Sequence, residues 1–136
     1  PPHPPEPTLE SIAAAELRRL RKAMRRLSDD APDEALHEAR IKGKRARYAA
    51  ELALGSEAKR APLVARVKEL QDVLGEHQDA VVAEECIRRC VRGGGVRAAF
   101  AAGRLVERER GRRAAARAAL PATWKALDRA ARKASR

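Results

Sequence analysis

The length of 136 residues fits one domain. With 30 Lys and Arg against 19 Asp and Glu, the net charge is +11, which suggests a polyanionic partner. Alanine accounts for 30 residues and aromatic side chains for only three, which excludes an all-β fold and favours helices. No apolar stretch approaches the ~18 residues that a membrane span needs, and no signal segment opens the chain, so we expect a cytoplasmic protein.

A proline-rich linker over residues 1–8 precedes the first of four principal helices. Thr8 offers an N-cap for the first helix, in which apolar residues recur with helical spacing. Asp33 can cap the second helix, and Gly55 marks its end. Pro62 is expected to open the third helix.

Three consecutive glycines at 93–95 separate the third helix from an Ala- and Arg-rich fourth helix. Pro121 is expected to end that helix near Leu120 and to restart a short fifth segment. The expected principal helices cover about residues 9–28, 34–54, 62–92 and 97–120. The predicted fold is therefore all-α, an antiparallel four-helix bundle over residues 9–134 with a short additional C-terminal helix.

The second helix combines a basic face with a face of small residues. Steps of three, four and seven place the following side chains within an arc of about 100°: His37, Arg40, Lys44, Arg47 and Tyr48. The opposite arc carries Leu36, Ala39, Gly43, Ala46, Ala50, Ala53 and Leu54. Because small residues let another helix approach closely, we expect this helix to be held from behind while its basic face points outward.

A solvated face is the ordinary interpretation of such a basic stripe. Here, however, only Glu38 and Glu51 accompany six basic or imidazole side chains between residues 37 and 47, so most of the usual intrahelical pairing is missing. The three aromatic residues of the chain form no row on which nucleobases could stack. The pattern therefore favours a bare polyanion over single-stranded nucleic acid.

Two segments resemble a known family. LHEARIKGKRARYAAEL at 36–52 and LQDVLGEHQDAVVAEE at 70–85 resemble the CHAD domain, the conserved histidine α-helical domain. The family's His-x-x-Arg-x-x-x-Lys-Arg-x-Arg-Tyr pattern falls on His37, Arg40, Lys44, Arg45, Arg47 and Tyr48. Its Leu-Gln-x-x-Leu-Gly-x-x-x-Asp pattern falls on Leu70, Gln71, Leu74, Gly75 and Asp79. The resemblance covers about residues 9–130 and corresponds to the C-terminal helical half of the domain.

The resemblance implies a non-catalytic module that binds inorganic polyphosphate and associates with polyphosphate granules. It also implies a fused CYTH triphosphatase domain as a partner, and a second CHAD half or another copy of this chain to close the groove, since only one His-x-x-Arg helix is present. The arginines and Lys44 would make charge-assisted contacts, Tyr48 would donate its hydroxyl, and His37 would bind more tightly below about pH 6.5. Additional phosphate contacts are expected from Arg18, Arg21 and Arg25 of the first helix.

Two other function classes remain open. The last 44 residues carry a net charge of +9 and would attract any phosphate backbone, as in a nonspecific nucleic-acid or ribosome-associated module. The basic face could also dock an acidic protein partner. If the nonspecific interpretation holds, binding depends on C-terminal arginines such as Arg108, Arg112 and Arg113 rather than on Arg40 and Lys44.

Catalysis, metals and cofactors are not expected. The sequence contains no nucleophile with a base, no phosphate-binding glycine loop and no acidic metal cluster. Glu107 and Glu109 alternate as in a strand-borne carboxylate pair, but their surroundings predict a helix, on which positions i and i+2 do not share a face. Cys86 and Cys90 are expected to be reduced thiols, and His77 a core or edge histidine.

Overall fold

The computed structural model of the chain describes residues 1–53 and 57–135, which form four α-helices and no strand. Their bounds are α1 Leu9–Arg25, α2 Asp33–Ala53, α3 Glu57–Cys90 and α4 Val96–Ala134. The predicted all-α bundle is confirmed. No helix within these described ranges combines the length and the apolar character needed to cross a membrane.

The start of α1 follows from its cap. The side chain of Thr8 accepts a hydrogen bond from the backbone N–H of Ser11 at 3.1 Å, as predicted. Asp33, in contrast, begins α2 as a residue of its first turn rather than capping it. Its carboxylate is bound by side chains of other helices, so a cap was the wrong expectation for this residue.

The helices pack in sequential order: α1 lies on α2, α2 on α3 and α3 on α4, whereas α1 only touches α4. Short connections make each neighbouring pair antiparallel. Alanines fill much of the core, and few large side chains are fully buried. The largest of them are Leu20, Leu36, Leu63, Val67, Leu70, Leu74, His77 and Leu127.

Helices α3 and α4 are far longer than the other two. At 1.5 Å per residue they measure roughly 51 and 58 Å, against roughly 26 and 32 Å for α1 and α2. Their distal parts therefore form a two-helix hairpin that extends from the bundle. Gly93 turns the chain at its tip with a positive φ of 79°, and a Cβ on Gly94 would lie 3.0 Å from the Cβ of Ala98.

The predicted break at Pro121 is wrong, because α4 continues through it to Ala134 instead of giving way to a separate short helix there. Proline removes one backbone N–H and crowds the preceding turn, which disfavours a helix interior by about 3 kcal/mol. Burial of Leu120, Leu127 and Ala131 on one face of α4 offsets that cost and keeps the helix in register.

Pro62 is likewise inside a helix instead of opening one, since α3 begins at Glu57. The apolar register predicted for α3 is confirmed from Leu63 to Leu74, and it continues into the half-buried Val81. A proline this near the N-terminus removes only one of the early intrahelical bonds, so core packing prevails. The predicted end of the second helix at Leu54 and Gly55 lies outside the described residues.

Candidate functional site

Small side chains form most of the buried face of α2, as the sequence predicts. The described members of the predicted face are all buried: Leu36, Ala39, Gly43, Ala46, Ala50 and Ala53. A Cβ added to Gly43 would meet only the Cγ of Gln71, at 3.8 Å, so α3 is close to α2 here. Neighbours on two sides therefore fix the orientation of α2, and its remaining side carries the charged residues.

A polar groove of about 530 Å³ lies between α2 and α3. Arg40, Lys44 and Arg47 line it from α2. The lining from α3 consists of Lys68, Gln71, Asp72, Gly75, Glu76 and Asp79. The two sequence patterns thus meet in space, because Gln71, Gly75 and Asp79 belong to the second pattern and the α2 residues to the first.

Arg47 is tied to both sides of this groove. Its Nε donates to Oε1 of Glu51 at 2.9 Å, and its Nη1 donates to Oε1 of Gln71 at 3.3 Å. Arg40, Lys44 and Arg45 have no ion pair within the described part of the chain. These three cations are therefore available to an external anion, whereas Arg47 is already partly neutralised.

The other predicted α2 residues lie on its outer surface. His37 is exposed, and Tyr48, eleven residues further on, is 57% exposed and follows the same side of the helix. Arg45 is also exposed, but it does not line the groove. An extended ligand along α2 could reach His37, Lys44 and Tyr48 together, over roughly 16 Å of helix.

The structure does not bring the predicted α1 arginines into the groove. α1 and α3 make no contact, and α2 lies between them. Arg21 pairs with Asp128 of α4 at 2.9 Å, while Arg18 and Arg25 are exposed beside it. Any phosphate contact from α1 would therefore belong to a separate surface.

Several arginines of α4 form ion pairs with the rest of the bundle. Arg112 contacts Glu76 of α3 at 3.0 Å, and Arg110 contacts Glu84 at 3.2 Å. Arg113 lies 3.4 Å from the same Glu84. These pairs neutralise part of the basic C-terminal segment, so its charge of +9 overstates what it offers to an external polyanion. Sequence alone did not reveal them, since their partners lie 26 to 36 residues away.

The same pairs shift the pKa values of their members. Partial burial alone would raise the pKa of Glu84, but hydrogen bonds from Arg88 and Arg110 lower it. The hydrogen bond to Glu76 raises the pKa of Arg112. Both shifts favour the charged forms, which keeps the α3–α4 pairs intact across the neutral range.

A polar cluster around the buried His77 joins three helices at the base of α2. The side chain of His77 is 1% exposed, and its Nε2 lies 3.2 Å from Oδ1 of Asp33, without the alignment of a good hydrogen bond. Arg117 donates to Asp33 at 2.8 Å, and Arg113 donates to it at 3.3 Å. The predicted core position of His77 is confirmed, and Asp33 anchors the first turn of α2.

Burial lowers the pKa of His77, and the nearby Arg117 and Arg113 add to this effect against the opposing influence of Asp33. The folded protein therefore holds a neutral imidazole, whereas the unfolded chain takes up a proton near the ordinary value of 6.5. At pH values between those two pKa values, the unfolded state binds more protons than the folded state. The contribution of the neutral His77 to the unfolding free energy is therefore fully present above pH 6.5 and is lost as the pH falls.

We expect chemical denaturation to show that the unfolding free energy of the wild type decreases between pH 7 and pH 5. In His77→Leu that decrease should be smaller, because the buried titrating group is gone while a side chain of similar size remains. The other two histidines are present in both proteins and cancel in the comparison. An identical pH slope in the two proteins would contradict the assignment of a neutral, buried His77.

No group of three potential metal ligands occurs among residues 1–53 and 57–135. Glu107 and Glu109 lie on α4, as the helical prediction required, and Glu109 pairs with Arg112. Cys86 and Cys90 are free thiols at the surface.

The family model described as CHAD domain matches residues 1–88, which comprise α1, α2 and nearly all of α3. α4 lies beyond the matched segment, so the match is shorter than the resemblance expected over residues 9–130. No curated protein and no solved structure matches the chain.

Proposed function

Because the chain belongs to the CHAD domain family of non-catalytic, polyphosphate-binding helical modules, we propose that it binds inorganic polyphosphate through the basic side of α2, which includes the residues lining the groove and those on the outer surface. The proposed contacts are His37, Arg40, Lys44, Arg45, Arg47 and Tyr48. One observation carries this proposal: Arg40, Lys44 and Arg45 lack carboxylate partners in the described chain, on a helix whose opposite face is fully buried.

The chemistry of these side chains suits a chain of phosphates. Guanidinium groups form bidentate, charge-assisted hydrogen bonds with phosphate oxygens, and an ammonium adds a mobile point charge. The α2 side chains from His37 to Arg47 extend over about 15 Å, so they could contact several successive phosphates. No stacking platform accompanies them, since Tyr48 is the only aromatic residue of the helix.

A competition assay tests this function. Long-chain polyphosphate bound to the protein should resist displacement by duplex DNA or RNA at equal phosphate concentration. Displacement by either nucleic acid would favour a nonspecific nucleic-acid module. A failure of polyphosphate to bind, combined with binding of an acidic peptide, would favour a docking module for an acidic protein.

The site on one chain is open on its outer side, and we propose that a second CHAD half or another copy of this chain covers the bound polyphosphate. A fused CYTH triphosphatase domain and a location at polyphosphate granules in the cytoplasm belong to the same proposal. Arg18 and Arg25 of α1 would assist by attracting the polyanion rather than by lining the α2–α3 groove.

A further inference from the structure

The groove between α2 and α3 has walls of opposite charge. Its α2 wall carries Arg40, Lys44 and Arg47, whereas its α3 wall carries Asp72, Glu76 and Asp79 together with Lys68. The groove lining thus contains four cations, three of them opposite the three carboxylates, and Arg47 is already paired with Glu51. The groove interior is therefore close to neutral, which is unexpected for a site that binds a polyanion.

The α2 cations and the α3 carboxylates have the same spacing along their helices but form no ion pairs with each other in the described ranges. Each row steps by four and then by three residues, so each covers about 10 Å along its helix. No ion pair joins α2 cations to α3 carboxylates within the described ranges, although Arg47 reaches the neutral Gln71. Asp72 and Asp79 have no ion-pair partner in these ranges, while Glu76 pairs with Arg112 of α4.

We propose that Asp72 and Asp79 form a repulsive wall that restricts a polyanion to α2 and thereby discriminates against wide polyanions such as nucleic-acid duplexes. The proposal rests on the proposed polyphosphate function. Specificity often depends on such repulsive groups, because they weaken the wrong partner more than the right one.

The width of a polyanion determines how strongly Asp72 and Asp79 repel it. Packed helix axes are about 8–10 Å apart, and screening at physiological salt reduces electrostatic effects over about 8 Å. A single polyphosphate chain is narrow enough to follow the α2 cations on their outer side, beside the exposed His37 and Tyr48, without lying over α3. A duplex, whose major groove alone is about 12 Å wide, would extend over α3 and place phosphates beside Asp72 and Asp79.

The test replaces the two unpaired carboxylates in the variant Asp72→Asn/Asp79→Asn. Both side chains are exposed and the amides are nearly isosteric, so the fold should be retained. The matched control is Glu85→Gln/Glu107→Gln, which changes the net charge equally at exposed positions outside the groove. Dissociation constants for long-chain polyphosphate and for duplex DNA are measured for all three proteins at 0.15 M salt.

We expect the groove variant to bind duplex DNA about tenfold more tightly, and polyphosphate less than about threefold more tightly. The control variant should bind both ligands more tightly than the wild type, by the same factor of less than about threefold. A groove variant that matches the control, or that gains no affinity for DNA, overturns the inference even if polyphosphate binding is intact. A wild-type protein that binds no polyphosphate refutes the proposed function instead.

Discussion

The double substitution Arg40→Ala/Lys44→Ala is expected to weaken binding of long-chain polyphosphate by about 100-fold or more. Hydrogen bonds to charged groups contribute about 1.5–3 kcal/mol each, and two of them together correspond to at least that factor. Both cations line the groove and have no ion-pair partner in the described chain, so their removal should leave the fold unchanged. Isothermal titration calorimetry gives the affinity, and circular dichroism confirms that the variant is folded.

The control is Arg104→Ala/Arg108→Ala, which removes the same charge from exposed positions of α4. Neither arginine has an ion pair within the described residues, whereas Arg112 and Arg113 do and would report on stability as well. Loss of general attraction should weaken binding by less than about fivefold. Equal losses in the two variants would show that net charge, and not the α2 face, binds the polyanion.

A core substitution should have the largest effect on stability. Leu70 of α3 is completely buried in the hydrophobic core, and Leu70→Ala should lower the unfolding free energy by about 3 kcal/mol. The cost is a large share of the total, because alanine-rich helices contribute few large side chains to the core. The difference in unfolding free energy is measured by urea denaturation, with one slope of free energy against urea concentration fitted for both proteins.

Leu52→Ala provides the matched control, because the same side chain on α2 is 71% exposed. Its unfolding free energy should change by no more than about 0.5 kcal/mol. If both substitutions cost the same, Leu70 would not lie in the well-packed interior described above.

The sequence predicted α2 well because its pattern is local. Small residues with helical spacing form its buried face, and the charged residues follow on the other side. Local spacing therefore predicted the two faces of α2. The contact of Arg47 with Gln71 across the α2–α3 groove was not predicted, because it depends on how the two helices pack.

Interactions between residues that are far apart in the chain could not be predicted from the sequence. The ion pairs of Asp33 with Arg113 and Arg117 join residues 80 and 84 positions apart, and no local pattern announces them. The helix end predicted at Pro121 was wrong for a related reason. The local preference of proline for a helix end is overcome by burial of Leu120 and Leu127 in the core. Tertiary packing thus decided both the length of α4 and the availability of its arginines.

The central claim, that polyphosphate binds along α2, is tested most directly by mapping backbone amide chemical shifts during a titration with long-chain polyphosphate. The largest changes should fall between residues 37 and 48 of α2, with smaller ones across the groove between 68 and 79 of α3. Residues 104–113 of α4 should change little. Changes centred on α4, or spread evenly over all basic residues, would contradict binding at the α2 face.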